Sequence, residues 1–441
     1  MMSIVTDPNS NAVKQAHALQ NRFPLAALGQ SAVTNRLQQL GINYSADIRP
    51  LFGNPVVIGS TAPTLNSSSS RTNFLIVWVT KDESKLKALL GKIPGLRQTG
   101  SHDGATLYGN GTSSAAAVDG ATLVLAPTPA EVNSALDRHA NGGGAGESTF
   151  SKDTKGLSQD SLVEMFGDLS GPLSQPRAAK ARNVPWVAAL RGYGAAISAS
   201  GSGLTIQYHL DTDSGKVSAS QLPFAPGSGA PSLDATAPVT TGIKDPTQIY
   251  NFIKAAEQQT SPTGYNRFLQ RQAQLKAKTG VDLDQFIHLF TGNLIIGSDT
   301  RMTLGKVGVS DPATASSDLA KLMTSPQGLL SQGQSVAKLP GGIYAIKEAR
   351  STVNVGVIGN QFVVGRATPA QLHNFASASV TTAPGAQGTM AFRVALQQVL
   401  SLALKRPPAA SQAILNQFGD ITGWSRSSTS GLDGSATIAV K

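Results

Sequence analysis

Apolar residues along this chain fall into short blocks separated by Gly, Pro, Asn, Asp and Ser. Phe74 to Val79 is a continuous apolar run of strand length, far short of the roughly 18 residues that would cross a bilayer, so it predicts a buried strand. Val118-Asp-Gly-Ala-Thr-Leu-Val-Leu-Ala-Pro-Thr-Pro-Ala-Glu-Val132 predicts a strand, a two-residue turn at Asp119-Gly120, a second strand, and a helix entered through Thr-Pro. Asp-Gly accepts the positive φ of a primed hairpin turn, Thr128 can accept a first-turn N–H, and proline suits the first helical position. Hairpins joined to short helices imply an antiparallel sheet with helices packed mainly on one face, an α+β fold.

The same pattern recurs. Ile358-Gly-Asn-Gln-Phe-Val-Val-Gly-Arg-Ala-Thr-Pro-Ala-Gln-Leu372 aligns without a gap on the segment above, Thr368 over Thr128 and a Gly359-Asn360 turn over Asp119-Gly120. Leu51 to Ser60 matches Leu289 to Ser298, each after a polar helix ending at Gly41 or Gly280, glycine being the usual residue after a helix. Phe74 to Thr80 answers Met302 to Ser310, Gly104 to Tyr108 answers Gly341 to Tyr344, and hairpin-like pairs near 195–210 and 423–440 close each copy. Two tandem repeats follow: copy one over 1–211, a Ser/Gly/Pro-rich linker over 212–236, and copy two over 237–441. Leu123 and Val363, Tyr108 and Tyr344, and Phe52 and Phe290 are expected at equivalent core positions. Leu65 to Arg71 and Asn141 to Gly146 are expected as surface loops.

The front of copy one is short. Ser3-Ile-Val-Thr6 stands before Asp7-Pro8 where copy two has Val239 to Ile243 before Asp245-Pro246, so a first strand is short or absent. An edge left this way is expected to be closed by a stub at Ile4-Val5 or used to form a homodimer, with an upstream strand and a leader or anchor missing.

Composition narrows the chemistry. Among 441 residues there is no cysteine, which removes disulfides, zinc–thiolate sites, iron–sulfur clusters and cysteine nucleophiles. Charged residues are only 14%, a sparse surface of the kind exported proteins carry. The six histidines, His17, His102, His139, His209, His288 and His373, are scattered singly without metal-ligand spacing, so they are expected as surface or capping residues. Ser84-Lys-Leu-Lys87 and Lys278-Thr-Gly280 match fragments of a penicillin-binding set, but they suit a helix start and a helix stop, and no S-x-N lies between them. No catalytic, cofactor or metal residues are assigned.

Three segments resemble a known family: Asp47-Ile-Arg-Pro-Leu-Phe-Gly53 before a strand, Val79-Thr-Lys-Asp82 leading into a Lys/Leu helix, and the Ala116 to Leu125 hairpin before a Thr-Pro-Ala helix. Together they look like the bacterial domain-of-unknown-function family numbered three-three-five-two. The resemblance implies tandem-repeat proteins of the cell envelope, outside the cytoplasm behind a signal peptide, lipoprotein signal or membrane anchor, and it brings no activity or catalytic residues.

Net charge is +3 over 1–220 and +7 over 221–441. Arg177, Lys180, Arg182 and Arg191 cluster around Pro185-Trp186, and Arg267, Arg271, Lys276 and Lys278 lie on one helix. They form either a solvated face or an anion-binding surface for envelope polymer or lipid head groups; nucleic acid is disfavoured, because no run of adjacent cations is interleaved with aromatics. The expected function is a non-enzymatic, extracytoplasmic binding or scaffold module of the cell envelope. The alternatives are a hydrolase or transferase with a site between the repeats, and a nonspecific binder of anionic polymer or nucleic acid.

Overall fold

The computed structural model describes residues 1–22, 34–60, 74–110, 115–143, 154–299, 302–324, 335–347, 351–403, 412 and 415–441. The loop expected over 65–71, and 144–146 of the one expected at Asn141, lie outside the described residues. The chain is mixed α+β and divides into two compact units. One comprises Met1–Pro172, Gly192–His209 and Val440–Lys441, the other Leu173–Arg191 and Leu210–Ala439. The segment carrying Arg177, Lys180, Arg182 and Arg191 therefore falls with the second unit. Residues 212–236 do as well, and they bury Val217, Leu222, Leu233 and Asp234.

In the first unit the strands are β1 (Met2–Ile4), β2 (Val56–Ser60), β3 (Phe74–Val79), β4 (Arg97–His102), β5 (Ala105–Gly109), β6 (Ala115–Asp119), β7 (Thr122–Ala126) and β8 (Val163–Asp168), with β9 (Leu190–Ser200) from Gly192 and β10 (Gly203–Thr212) up to His209. Antiparallel ladders order them β9–β8–β1–β2–β3–β7–β6–β5–β4, and β10 pairs with β9. The short first strand is thus not an exposed edge: Met2 to Ile4 lies between β2 and β8, and the backbone of Met1 also bonds Phe166. A stub has formed, over Met2–Ile4 rather than Ile4-Val5, and both its sides are paired.

Helix α1 (Asn11–Gln20) starts at Ser10, α2 (Glu83–Lys92) at Asp82, and α3 (Pro129–Ala140) at Thr128, whose side chain exchanges bonds with Glu131 in a capping box. Helices lie on both faces of this sheet, a departure from the expected single face. Leu123 packs with Leu86 and Leu90 of α2, whereas the next residue, Val124, packs with Val132 and Leu136 of α3. Successive strand residues point to opposite faces, so β7 is covered on both.

The second unit holds β11 (Leu233–Asp234), β12 (Val239–Lys244), β13 (Phe290–Ser298), β14 (Thr303–Val309), β15 (Ser335–Lys338), β16 (Ile343–Lys347), β17 (Thr352–Ile358), β18 (Gln361–Gly365), β19 (Val380–Thr381), β20 (Met390–Val394), β21 (Phe418–Ser428) and β22 (Gly431–Val440). Ladders run β21–β20–β12–β13–β14–β18–β17–β16–β15, all antiparallel. Gly423 lies against Ser435 of β22. Its helices are α4 (Pro246–Thr260), α5 (Pro262–Thr279), α6 (Leu283–His288), α7 (Pro312–Thr324), α8 (Pro369–Ser377) and α9 (Leu396–Ala403). Phe362 packs on the α7 side with Leu319 and Leu322, and Val363 on the opposite side with Leu372 of α8.

The hairpins correct the ungapped alignment. Asp119 pairs with Thr122 across Gly120-Ala121, and Ile358 pairs with Gln361 across Gly359-Asn360. Asp119 therefore matches Ile358, and Leu123 matches Phe362 rather than Val363. A one-residue slip in a strand moves a side chain to the other face, which is why Leu123 and Val363 sit in cores on opposite sides. The register recovers at Thr128 and Thr368, both of which cap with a reciprocal Glu131 or Gln371.

Asp284 ties three helices together. Burial pushes its carboxyl up. Bonds from Lys254 and Tyr250 of α4 and from Gln272 of α5 outweigh that and hold it down at about 2. Folded Asp284 thus ionises more readily than its ordinary 3.8, so its contribution is complete above that value and is lost as pH falls towards 2. With the side chain 35% exposed, the contribution is discounted to about 1–2 kcal/mol. Asp284→Asn is expected to lower stability by that amount at pH 7, and urea melts of the two proteins should converge near pH 2.

Candidate functional site

The α8 side of the second unit's sheet is sealed by its own chain. The segment around β11 lies across β12 so closely that a methyl group at Gly242 would sit 2.2 Å from the Ser232 carbonyl oxygen, and one at Gly297 would sit 3.0 Å from both Ala237 and Phe375. Asp234 is fully buried; its Oδ1 accepts from the backbone N–H of Thr236 and Ala237 at 2.8 and 2.7 Å. Arg393 on β20 donates through Nη2 to the carbonyls of Asp234, Ala235 and Ala237 at 3.3, 3.0 and 3.1 Å. Lys306 on β14, only 3% exposed, donates to the carbonyls of Phe375 and Ala378 at the end of α8, a favourable place for a cation. Burial pushes the Lys306 ammonium down, and the nearby Asp234 charge partly offsets this. Asp234 Oδ2 has no hydrogen-bond partner among the described residues.

Among the described residues, the face of the first unit's sheet that carries Val57 and Val77 has no such staples. Ser3 pairs with Val57 and Glu164 as Gly242 pairs with Ile295 and Ala391. By that register Val77 stands where Lys306 does, and Phe166 stands where Arg393 does. Gly59 pairs with Leu75 as Gly297 pairs with Leu304, yet a methyl group at Gly59 would meet nothing nearer than the Leu75 carbonyl oxygen at 3.9 Å. Among the described residues this face holds a cavity of about 400 Å³. Its floor is Val57 and Gly59 of β2, Leu75, Val77 and Val79 of β3, and Thr122 and Val124 of β7. Ala135 and Leu136 of α3 form a wall, Arg138 and Asp119 bring charge to the lining, and His139 adds a polar ring. A second hollow of about 480 Å³ shares Met1, Val57 and Val79 with it and reaches Phe166. This is a mostly apolar recess with a few polar groups, the usual make-up of a small-molecule site. A larger groove of about 590 Å³ in the second unit, along Leu294, Ile296 and Val364, is more open to solvent.

The basic residues chosen from sequence are spread over different duties. Arg191 pairs with Asp213 at 3.1 Å and also donates to the carbonyls of Ala188 and Leu190, and Lys276 pairs with Asp282 at 2.9 Å, so both brace local structure. Arg267, Arg271 and Lys278 are exposed on α5 without an ion pair among the described residues, and Lys180 and Arg182 are exposed near Asn183, whose side chain donates to the Gln259 carbonyl of α4. Arg177 is also exposed.

Asp82, not Ser84, caps α2; Ser84 bonds the Asp82 carboxylate and Lys87 pairs with Glu83. Gly280 ends α5 at φ 71°. The penicillin-binding fragments are therefore a helix start and a helix stop. One trio escaped the sequence reading. His102 Nε2 lies 2.6 Å from Asp137 Oδ1 and 3.6 Å from Asp103 Oδ2. The bond to Asp137 holds the imidazole above its ordinary value, so this tie between the β4–β5 turn and α3 is complete below pH 6.5 and weakens as pH rises past the raised value. Only the His102-Asp103 dipeptide could have signalled it, because Asp137 joins through the fold. Among the described residues no helix is long and apolar enough to cross a membrane.

Comparison with known proteins adds little chemistry. No curated protein matches the chain. Crystal forms III and IV of TP0453 are similar at 12% identity, over 49% and 48% of this chain and 78% and 76% of theirs, with TM-scores of 0.28 and 0.27. The family described as "Protein of unknown function (DUF3352)" matches residues 1–322, well over half of the sequence. The resemblance seen in the Asp47, Val79 and Ala116 segments is thereby established, and the chain belongs to the DUF3352 family.

Proposed function

We propose that this chain is a non-enzymatic binding module of the cell envelope, built as two copies of one α+β unit, that holds an apolar ligand against the open face of the first copy. The shared ladder order, from β8–β1–β2–β3–β7 in one unit to β20–β12–β13–β14–β18 in the other, supports the duplication. The envelope location rests on family resemblance and sparse charge. One observation carries the binding role: the cavity of about 400 Å³ lies where the second unit seals the same face with a stapled segment. An apolar cavity this large is a liability unless something fills it.

The uncharged dye N-phenyl-1-naphthylamine tests the reading. It is expected to bind the full chain with increased fluorescence, and Gly59→Phe, which places a ring in the open cavity without a close backbone clash, is expected to weaken binding roughly tenfold or more. Dye binding that is unchanged in a folded Gly59→Phe protein would remove the cavity from the account.

A further inference from the structure

Building on that reading, we infer that the cavity takes a single acyl chain ending in an anionic head group. The walls of the main recess are aliphatic: Val57, Leu75, Val77, Val124 and Leu136 line it, and among the described residues no Phe, Tyr or Trp ring does. Such walls select flexible methylene chains over planar rings, because an aromatic ligand gains from ring contacts that are missing here.

Charge fixes which end faces out. Arg138 and His139 lie on the last turn of α3, exposed, and neither has an ion pair or side-chain hydrogen bond among the described residues. Asp137 beside them is paired with His102 at 2.6 Å rather than with Arg138. Asp119 is the single carboxylate of the lining. A carboxylate or phosphate at the mouth would meet a guanidinium able to bind it in a bidentate fork. Free fatty acid and lysophospholipid share this chemistry.

Displacement of the naphthylamine dye from the full chain separates the outcomes. With decanoate, undecanoate and dodecanoate, affinity is expected to rise about fourfold per methylene, the increment for burying one such group. Dodecanoate is expected to compete roughly fivefold better than the neutral glycerol monoester of the same chain, and Arg138→Gln/His139→Gln should abolish that preference, each competitor being scored against the variant's own dye affinity. Lauroyl lysophosphatidylglycerol against dodecanoate identifies the source: whichever binds tighter names the head group. Affinity flat in chain length, or equal for charged and neutral heads in the unaltered protein, overturns the acyl-anion inference although dye binding persists. Absence of dye binding overturns the cavity reading itself.

Discussion

Phe286→Ala is expected to cost the second unit about 3–5 kcal/mol, the range for removing a buried aromatic side chain. Phe286 is 5% exposed and meets Phe290 and Phe362 edge-on at ring distances of 5.5 and 6.0 Å. Around it stand Leu275 of α5, Leu319 and Leu322 of α7, and Tyr344 and Val355 of the sheet. Its helix, α6, has six residues, too few to persist without packing, so deletion of the ring also loosens the Asp282 cap and the Asp284 ties. Urea unfolding followed by a probe in the second unit measures it, since two compact units need not unfold in one step. Phe290, expected from sequence as the core residue, is only half-buried, and Phe290→Ala should cost less than Phe286→Ala. A larger loss at Phe290 would reverse this assignment.

Sequence pattern located the elements better than it located their faces. The Thr128 and Thr368 helix starts, the strand at Phe74 and the closing hairpins were legible because turn chemistry and capping are local. Face assignment needs register, and one extra residue between β18 and Thr368, invisible to an ungapped alignment, exchanged Leu123's partner from Phe362 to Val363. Helices on both sides of β7 were hidden for a related reason: Thr122 to Ala126 is apolar at both parities, as expected of a strand covered twice. Residues 212–236 resembled a linker by composition, yet Leu222 and Leu233 are enough to seat them in a core. The cavity had no sequence signal, because Val77 looks the same whether another segment covers it or not. What marks it is the contrast with Lys306, a charge in the middle of a strand that folding must satisfy.

Arg393→Met follows from that contrast and is expected to cost about 2–4 kcal/mol, because three carbonyls lose a charged donor. The side chain is 19% exposed and its other contact, Asp420, is distant at 3.9 Å, so the loss falls on the Asp234-to-Ala237 segment. Methionine has enough length to fill the space, which keeps the cavity term small. The released carbonyls can reach water only if the segment lifts from β12, and lifting it exposes Gly242, Gly297 and the Phe375 ring. The second unit would then offer the kind of face that Val57, Val77 and Gly59 offer in the first. A second equivalent of N-phenyl-1-naphthylamine bound by Arg393→Met, retained when Gly59→Phe is added, is the expected signature. A destabilised variant that gains no dye would show that Lys306 and Asp234 hold the segment down without Arg393.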